Sequence, residues 1–152
     1  MVRRPITRGD VVLVPFPFTD LTAAKRRPAV VVWSDPAQVD FLLAFISSQR
    51  VGRPAIGELT LLPTHPEFAM TGLAAPSTVR VTKLVTLSGA LLKRWLGRLG
   101  PLLIADLDRA LVTALGINMV PFREEGRREE RARLTALHAV GGVDALVADL
   151  AR

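Results

Sequence analysis

"KRRPAVVVW", residues 25–33, places three cations and a proline directly before a run of apolar, mostly β-branched residues. Such a run, bounded by turn residues, is typical of a buried β-strand. Three positive side chains at the entrance of a buried strand repel one another and lose solvation energy if they are covered. The strand alone therefore does not explain why Lys25, Arg26 and Arg27 stand there.

Strands of the same kind are predicted on both sides of this segment. They are "GDVVLVPFPF" (9–18), "DFLLAFISS" (40–48), "ELTLL" (58–62) and "STVRVTKLVTL" (77–87), the last with an expected bend near Lys83. A polar loop, Gly/Pro turns and a long irregular connection over 63–76 separate them. Five short strands within 87 residues predict a small antiparallel β-barrel.

Helices are predicted only after the strands. Ser88 is expected to cap a short helix that runs through Trp95, and a clearer helix opens at Gly100-Pro101, since proline is tolerated at the first helical position. That second helix carries a leucine every four residues and ends at Gly116; the leucines are Leu103, Leu107, Leu111 and Leu115. We expect it to pack on the barrel, which makes the fold mainly β with C-terminal helices.

The segment after Pro121 differs in composition from the rest. It is charge-rich and then amphipathic, and we interpret it as a helical tail split at Gly141-Gly142. The predicted organisation is therefore a barrel domain over 1–120 and a helical appendage over 121–152. The apolar stripe of the tail, which begins at Leu134, needs a cover, either the chain's own barrel or a partner copy, which we favour, or a separate protein that docks there.

The formal charge of +6 is confined to the barrel. Residues 1–120 hold 14 basic and 8 acidic side chains, whereas residues 121–152 hold 6 of each. A basic, compact body favours polyanionic partners, either nucleic acid or an acidic protein. There are no cysteines, no secretory signal and no apolar stretch long enough to span a membrane, so we expect a cytoplasmic protein without membrane partners.

The sequence offers little of the usual catalytic machinery. Its two histidines, His65 and His138, lack the spacing of a metal motif, and no phosphate-binding glycine loop occurs. We therefore predict neither a metal nor a cofactor. What remains is arginine and hydroxyl chemistry: antiparallel pairing would bring Arg27 beside Ser47, and a guanidinium next to a hydroxyl suits a phosphodiester.

Several motifs in a fixed order resemble the MazF/PemK family of toxins from type II toxin–antitoxin systems. They are "RGDVVLVPFPF", "KRRPAVVV", "LLAFISSQ", "GLAAPSTVRVTKLVTL" and "LGRLG" followed by an amphipathic helix, and together they cover about residues 7–118. The resemblance implies an SH3-like barrel, a homodimer, and metal-independent, sequence-selective cleavage of single-stranded mRNA. It also implies a cognate antitoxin whose acidic segment would occupy the groove that RNA uses.

The resemblance assigns roles to individual residues. Arg27 matches the family's catalytic arginine, Ser47 stands where many members have threonine, and Arg80 matches an arginine credited with catalysis in the PemK branch. That branch has a carboxylate two residues later, where this chain has Thr82, so the general base is left without a match. Additional RNA contacts are expected from Lys25, Arg26, Ser48, Thr82 and Lys83.

The missing acid keeps a second function open. A toxin fold without a general base could be a non-catalytic interaction protein that binds an antitoxin or poisons another enzyme. Growth arrest by the wild type and by Arg27→Ala would separate this hypothesis from an endoribonuclease.

Overall fold

The computed structural model describes residues 4–15 and 25–139, and the chain divides into two compact units, Met1–Gly116 and Ile117–Arg152. The first unit contains one six-stranded antiparallel sheet, and helices follow the last strand. The strands are β1 (Asp10–Pro15), β2 (Arg26–Ser34), β3 (Asp40–Ser47), β4 (Leu59–Leu61), β5 (Ser77–Ser88) and β6 (Arg94–Arg98); the helices are α1 (Pro101–Leu115) and α2 (Val120–Ala139).

Alternating side chains give the sheet two apolar faces. Its strand order is β4-β5-β3-β2-β1-β6. Val11 and Val30 belong to the cluster that includes the leucines of α1, whereas Val12 and Val31 belong to a second cluster with aromatic residues of β3. Bulges interrupt the pairing of β1 with β6, of β2 with β3 and of β3 with β5, and bulges bend strands. The sheet curls as a half-barrel, and the predicted fold class is confirmed.

Helix α1 is fixed to the sheet by an acid from the connection between β4 and β5. The buried carboxylate of Glu67 accepts hydrogen bonds from the backbone N–H groups of Leu102 at 3.1 Å and Leu103 at 2.9 Å. An added Cβ on Gly100 would lie 2.3 Å from the Glu67 carboxyl carbon, so this close approach requires glycine. The helix ends at Gly116 as predicted, although Leu115 is 57% exposed.

The short helix predicted from Ser88 through Trp95 is wrong. Ser88 does cap a turn, since its Oγ accepts from the N–H of Ala90 at 3.4 Å, but the turn is a 3₁₀ segment of three residues. The chain then forms β6, a strand absent from the sequence prediction. Val12 of β1 pairs with Trp95, whose indole N–H donates to buried Asp10 at 3.1 Å, so tertiary pairing determines this segment.

The second unit contains α2, a helix of 20 residues. Pro121 lies in its first turn, where the missing N–H costs no intrahelical hydrogen bond. The side chain of Leu134, which belongs to the predicted apolar stripe, is 50% exposed. The predicted split at Gly141-Gly142 lies outside the described residues. Within residues 4–15 and 25–139, no helix has the length and apolar character needed to cross a membrane.

Candidate functional site

The three residues predicted to be catalytic lie around one small cavity. Antiparallel pairing of β2 with β3 sets Ala29 opposite Phe45, the last pair of this ladder, and Arg27 and Ser47 each lie two residues beyond it. On the other side of β3, β5 contributes Arg80, the partner of Phe45. Arg27, Ser47 and Arg80 all line a cavity of about 170 Å³. Three neighbouring strands therefore bring two guanidinium groups and a hydroxyl together.

The hydroxyl of Ser47 has a backbone partner. Its Oγ accepts a hydrogen bond from the N–H of Gln49 at 3.2 Å, which stabilises the turn after β3. A serine hydroxyl can accept two hydrogen bonds and donate one. This capping role therefore leaves the O–H hydrogen available to a ligand in the cavity.

A bulge in β5 decides which side chains accompany Arg80. Ala44 pairs with Leu84 and Phe45 with Arg80, so the three residues 81–83 of β5 have no opposite partners on β3. The bend predicted near Lys83 is thereby confirmed. It interrupts the strict alternation that would place Arg80 and Thr82 on one side: Lys83 lines the cavity with Arg80, while Thr82 is exposed and is not among the lining residues.

A larger groove of about 470 Å³, which we call the arginine groove, shares four lining residues with the cavity. It is lined by Ser47, Gln49, Arg50, Arg53, Ala55, Glu58, Thr78, Arg80 and Lys83. Four of these residues are cations and one is an acid, so the groove favours an anionic ligand. The sequence analysis missed Arg50 and Arg53, whose loop has no regular pattern from which their position could be inferred.

Arg50 adopts an uncommon backbone conformation. Its φ is 58°, in the left-handed region, and its carbonyl accepts from the N–H of Arg53 at 3.1 Å. A residue with a Cβ pays about 1–2 kcal/mol in this region, and such strain often occurs at functional sites. The tight turn holds both arginines at the rim of the groove.

The acid of the arginine groove is Glu58, which directly precedes β4. Its Oε1 accepts from Nε of Arg80 at 3.3 Å, and its Oε2 accepts from the N–H of Ala55 at 2.9 Å. The Glu58 side chain is 8% exposed and that of Arg80 is 40% exposed. The sequence could not reveal this pair because its members are 22 residues apart and meet only when β4 pairs with β5.

The remaining predicted contacts flank the other side of Ser47. Lys25, Arg26 and Ser48 line a cavity of about 180 Å³ that also includes Arg27 and Ser47. Strand β2 begins at Arg26, before the apolar run, so two of the cations belong to the strand itself. Positive side chains thus stand on both sides of Ser47.

His65 lines neither the cavity nor the arginine groove. His65 lies in the connection after β4, and its Nδ1 accepts from the N–H of Glu67 at 3.1 Å, which makes it a loop-stabilising residue. The side chain of His138 is outside the described part of the chain. Among the residues that the structure describes, no cluster of three or more His, Asp or Glu is arranged as a metal site.

The chain matches a protein-family model. The model describes the PemK-like, MazF-like toxin of type II toxin–antitoxin systems, and it matches residues 7–115. This range includes all six strands and α1. A comparison with curated protein sequences finds no match.

Solved structures of the same fold are numerous. An endoribonuclease from a mycobacterial species, solved with its cognate antitoxin, is 23% identical with a TM-score of 0.57 over 75% of this chain and 98% of its own. The Mycobacterium tuberculosis toxin MazF-mt6 is 20% identical, with a TM-score of 0.57 over 72% and 98%. MazF from Deinococcus radiodurans is 20% identical, with a TM-score of 0.56 over 74% and 97%. At these identities the likeness concerns the fold.

Proposed function

The chain belongs to the PemK-like, MazF-like family of toxins of type II toxin–antitoxin systems, and from this membership we propose that it is an endoribonuclease. Its substrate in this proposal is single-stranded mRNA, cut sequence-selectively and without a metal ion. The observation that carries the proposal is the meeting of Arg27, Ser47 and Arg80 around one cavity. Structures of the same fold that are named endoribonucleases support it.

The proposed reaction is a transesterification within the RNA. The 2′-oxygen attacks the adjacent phosphorus and the bond from phosphorus to the 5′-oxygen breaks, leaving a 2′,3′-cyclic phosphate and a 5′-hydroxyl. The 2′-hydroxyl gives its proton to water and the 5′-oxygen takes one from water, so no proton is gained or lost overall. Arg27 stabilises the charge that develops on the phosphoryl oxygens, Ser47 donates its hydroxyl to orient the phosphate, and Arg80 binds it in two-point fashion.

The RNA backbone would cross the site between two groups of cations. Lys25 and Arg26 lie on one side of Ser47, and Arg50 and Arg53 lie on the other, in the arginine groove. Phosphate contacts of this kind give affinity without reading sequence and weaken with salt. The length of backbone between the two groups is therefore held by charge on both sides of the cleaved bond.

An acidic segment of the antitoxin is the proposed inhibitor. Structures of the same fold have been solved with their antitoxins, both mycobacterial and from Deinococcus radiodurans. A peptide rich in Asp and Glu matches the charge of the arginine groove as RNA does, so the two would compete. We further propose that the toxin acts as a homodimer, as the resemblance implies.

The experiment that tests this function uses purified protein, a chelator and two RNAs. With EDTA present, a long single-stranded RNA should be cut, while an oligonucleotide made 2′-deoxy at the mapped cleavage position should stay intact. Loss of cleavage in EDTA, or cleavage of the deoxy oligonucleotide, would contradict the mechanism. Arg98 is an exposed arginine on the edge strand β6, and Arg98→Ala is therefore the control for Arg27→Ala.

One observation favours a second candidate, a toxin that binds without cutting. The position of the carboxylate in the PemK branch is occupied here by Thr82, which is exposed and does not line the cavity. A map of RNA 5′ ends from growth-arrested cells separates the two candidates. Clustered ends that vanish with Arg27→Ala indicate an endoribonuclease, whereas arrest without such ends indicates a binding toxin.

A further inference from the structure

The carboxylate of Glu58 lies in a groove whose other charged side chains are all cations, and its presence there requires a physical explanation. The arginine groove combines four cations with Glu58, and a negative charge there repels each phosphate that the cations attract. The Glu58 side chain is also almost covered, at 8% exposure, although the groove is open to solvent. An acid retained in such a place must contribute something that outweighs its repulsion.

The two oxygens of Glu58 are both engaged. Oε2 accepts from the N–H of Ala55, and the N–H of Glu58 donates back to the carbonyl of Ala55 at 3.0 Å, so a closed turn fixes the carboxylate. Oε1 accepts from Nε of Arg80. A carboxylate anchored in this way is a rigid support for a second side chain, since it cannot rotate without losing a hydrogen bond.

The edge of Arg80 that Glu58 holds determines what the guanidinium can do. The group is planar, with its donors in a fixed fork. Binding through Nε leaves the far edge, with its two terminal nitrogens, for a ligand. Arg80 is 40% exposed and lines both the cavity beside Ser47 and the arginine groove, so that edge has access to an incoming phosphate.

We propose that Glu58 is a positioning residue that holds Arg80 by its Nε edge and orients the terminal nitrogens toward the scissile phosphate. The inference rests on the proposed RNA cleavage and gives it a residue outside the motifs of the sequence. Glu58 acts through Arg80 and takes no proton from the RNA. Since Thr82 supplies no acid, the carboxylate beside Arg80 comes from the start of β4 instead of from β5.

The decisive comparison is between Glu58→Gln and Glu58→Ala. Gln keeps one oxygen that accepts from Nε of Arg80 but gives up the acceptor for the N–H of Ala55. The kcat on single-stranded RNA should therefore fall by less than about 10-fold, and removal of the negative charge should tighten RNA binding. Ala releases the guanidinium, and kcat should fall about 10- to 100-fold, because small errors of placement are costly. Arg80→Lys keeps the positive charge but loses the planar fork of donors, and its kcat should fall by a similar factor.

Three outcomes would overturn the proposal. If Glu58→Gln loses as much kcat as Glu58→Ala, the acceptor that Gln keeps for Nε of Arg80 is not what kcat depends on, and the positioning role is wrong. If the losses of Glu58→Ala and Arg80→Ala multiply in the double variant, Glu58 acts independently of Arg80 and merely stabilises its own turn. If Glu58→Ala lowers only the melting temperature, its role is structural. The expected double variant is no worse than Arg80→Ala alone.

A readout without RNA separates this proposal from the proposed function. The Nε–H of Arg80 gives its own ¹⁵N NMR signal, which should exchange slowly with water in wild type and Glu58→Gln and rapidly in Glu58→Ala. Equal exchange in wild type and Glu58→Ala would overturn the positioning role, whatever the enzyme does. Slow exchange in a wild type that cuts no RNA would support the pair and contradict the endoribonuclease.

Discussion

Two acids on either side of β4 illustrate the difference between a structural and a functional use of the same side chain. Glu67 is buried and its oxygens accept from backbone N–H groups at the start of α1. The side chain of Glu58 is also largely covered, but one of its oxygens accepts from Arg80, a side chain that is 40% exposed and faces a groove. Both carboxylates are thus largely covered, and the exposure of the partner distinguishes them.

The comparison assigns different consequences to the two regions. The oxygens of Glu67 accept hydrogen bonds from backbone N–H groups, so the loss of these bonds lowers the free energy of unfolding. In the arginine groove, the charged side chains face solvent, so their loss changes the affinity for an anionic ligand and the rate of cleavage. Substitutions in one region should therefore leave the measurement of the other region unchanged.

The largest expected effect belongs to Arg27. Removing a group that stabilises developing charge costs about 10²–10³-fold in rate, so Arg27→Ala should lower kcat by that factor. Its melting temperature should stay within a few degrees of wild type, because a half-exposed strand-end arginine contributes little to the core. Cleavage of a long single-stranded RNA and differential scanning calorimetry measure both. Arg98→Ala should change neither, and a loss of kcat there would break the distinction.

Glu67→Ala should have the opposite signature. It leaves the N–H groups of Leu102 and Leu103 without acceptors in a buried place, which costs about 2 kcal/mol of unfolding free energy. Glu67→Gln retains one acceptor oxygen and should lose about half as much. Denaturant unfolding measures the loss, and kcat per folded molecule should equal that of wild type. A fall in kcat of the folded fraction would show that the hydrogen bonds between Glu67 and the start of α1 are coupled to the arginine groove.

The sequence predicted most of the barrel because most of its strands carry local signals. Apolar runs bounded by Gly, Pro or Asp mark β1, β2, β3 and β5, and the leucine spacing with terminal glycines marks α1. Strand β6 has no such signal: its residues become a strand because β1, more than 80 residues earlier, needs a partner.

The site divides in the same way. Arg27 and Ser47 could be placed together because a short turn joins their strands and antiparallel register then follows. The neighbours of Arg80 could not, because a bulge over 81–83 and a loop over 48–58 decide them. Glu58, which lies beside Arg80, was not predicted either, because 22 residues separate the two along the chain.

A smaller effect is expected from the rim of the arginine groove. On single-stranded nucleic acid, each phosphate contact contributes about 0.7 to the slope of log affinity against log salt, so Arg50→Ala/Arg53→Ala should reduce that slope by about 1.4. The kcat at saturating RNA should remain unchanged, since neither residue lines the cavity with Arg27. Fluorescence anisotropy on RNA made 2′-deoxy at the cleavage position measures the slope. An unchanged slope would show that Arg50 and Arg53 do not contact RNA phosphates.

The smallest effect concerns Thr78, a buried residue that lines the arginine groove. It pairs with Ser47 and lines the arginine groove, yet it is 3% exposed, and its Oγ1 has no hydrogen-bond partner within the described residues. A buried hydroxyl without a partner is destabilising, so Thr78→Val, which replaces it with a methyl group, should raise the unfolding free energy by up to about 1 kcal/mol.

Thr78→Ser is the matched control for Thr78→Val, because serine keeps the hydroxyl and loses only the methyl group. If Thr78→Val gains stability and kcat is unchanged, Thr78 is part of the packed sheet and the boundary of the functional region lies at Ser47. If Thr78→Val gains stability but loses kcat, and Thr78→Ser retains kcat, the Thr78 hydroxyl takes part in RNA cleavage. The stability that the wild type gives up at Thr78 would then reflect a requirement of the groove, as the strained backbone of Arg50 does.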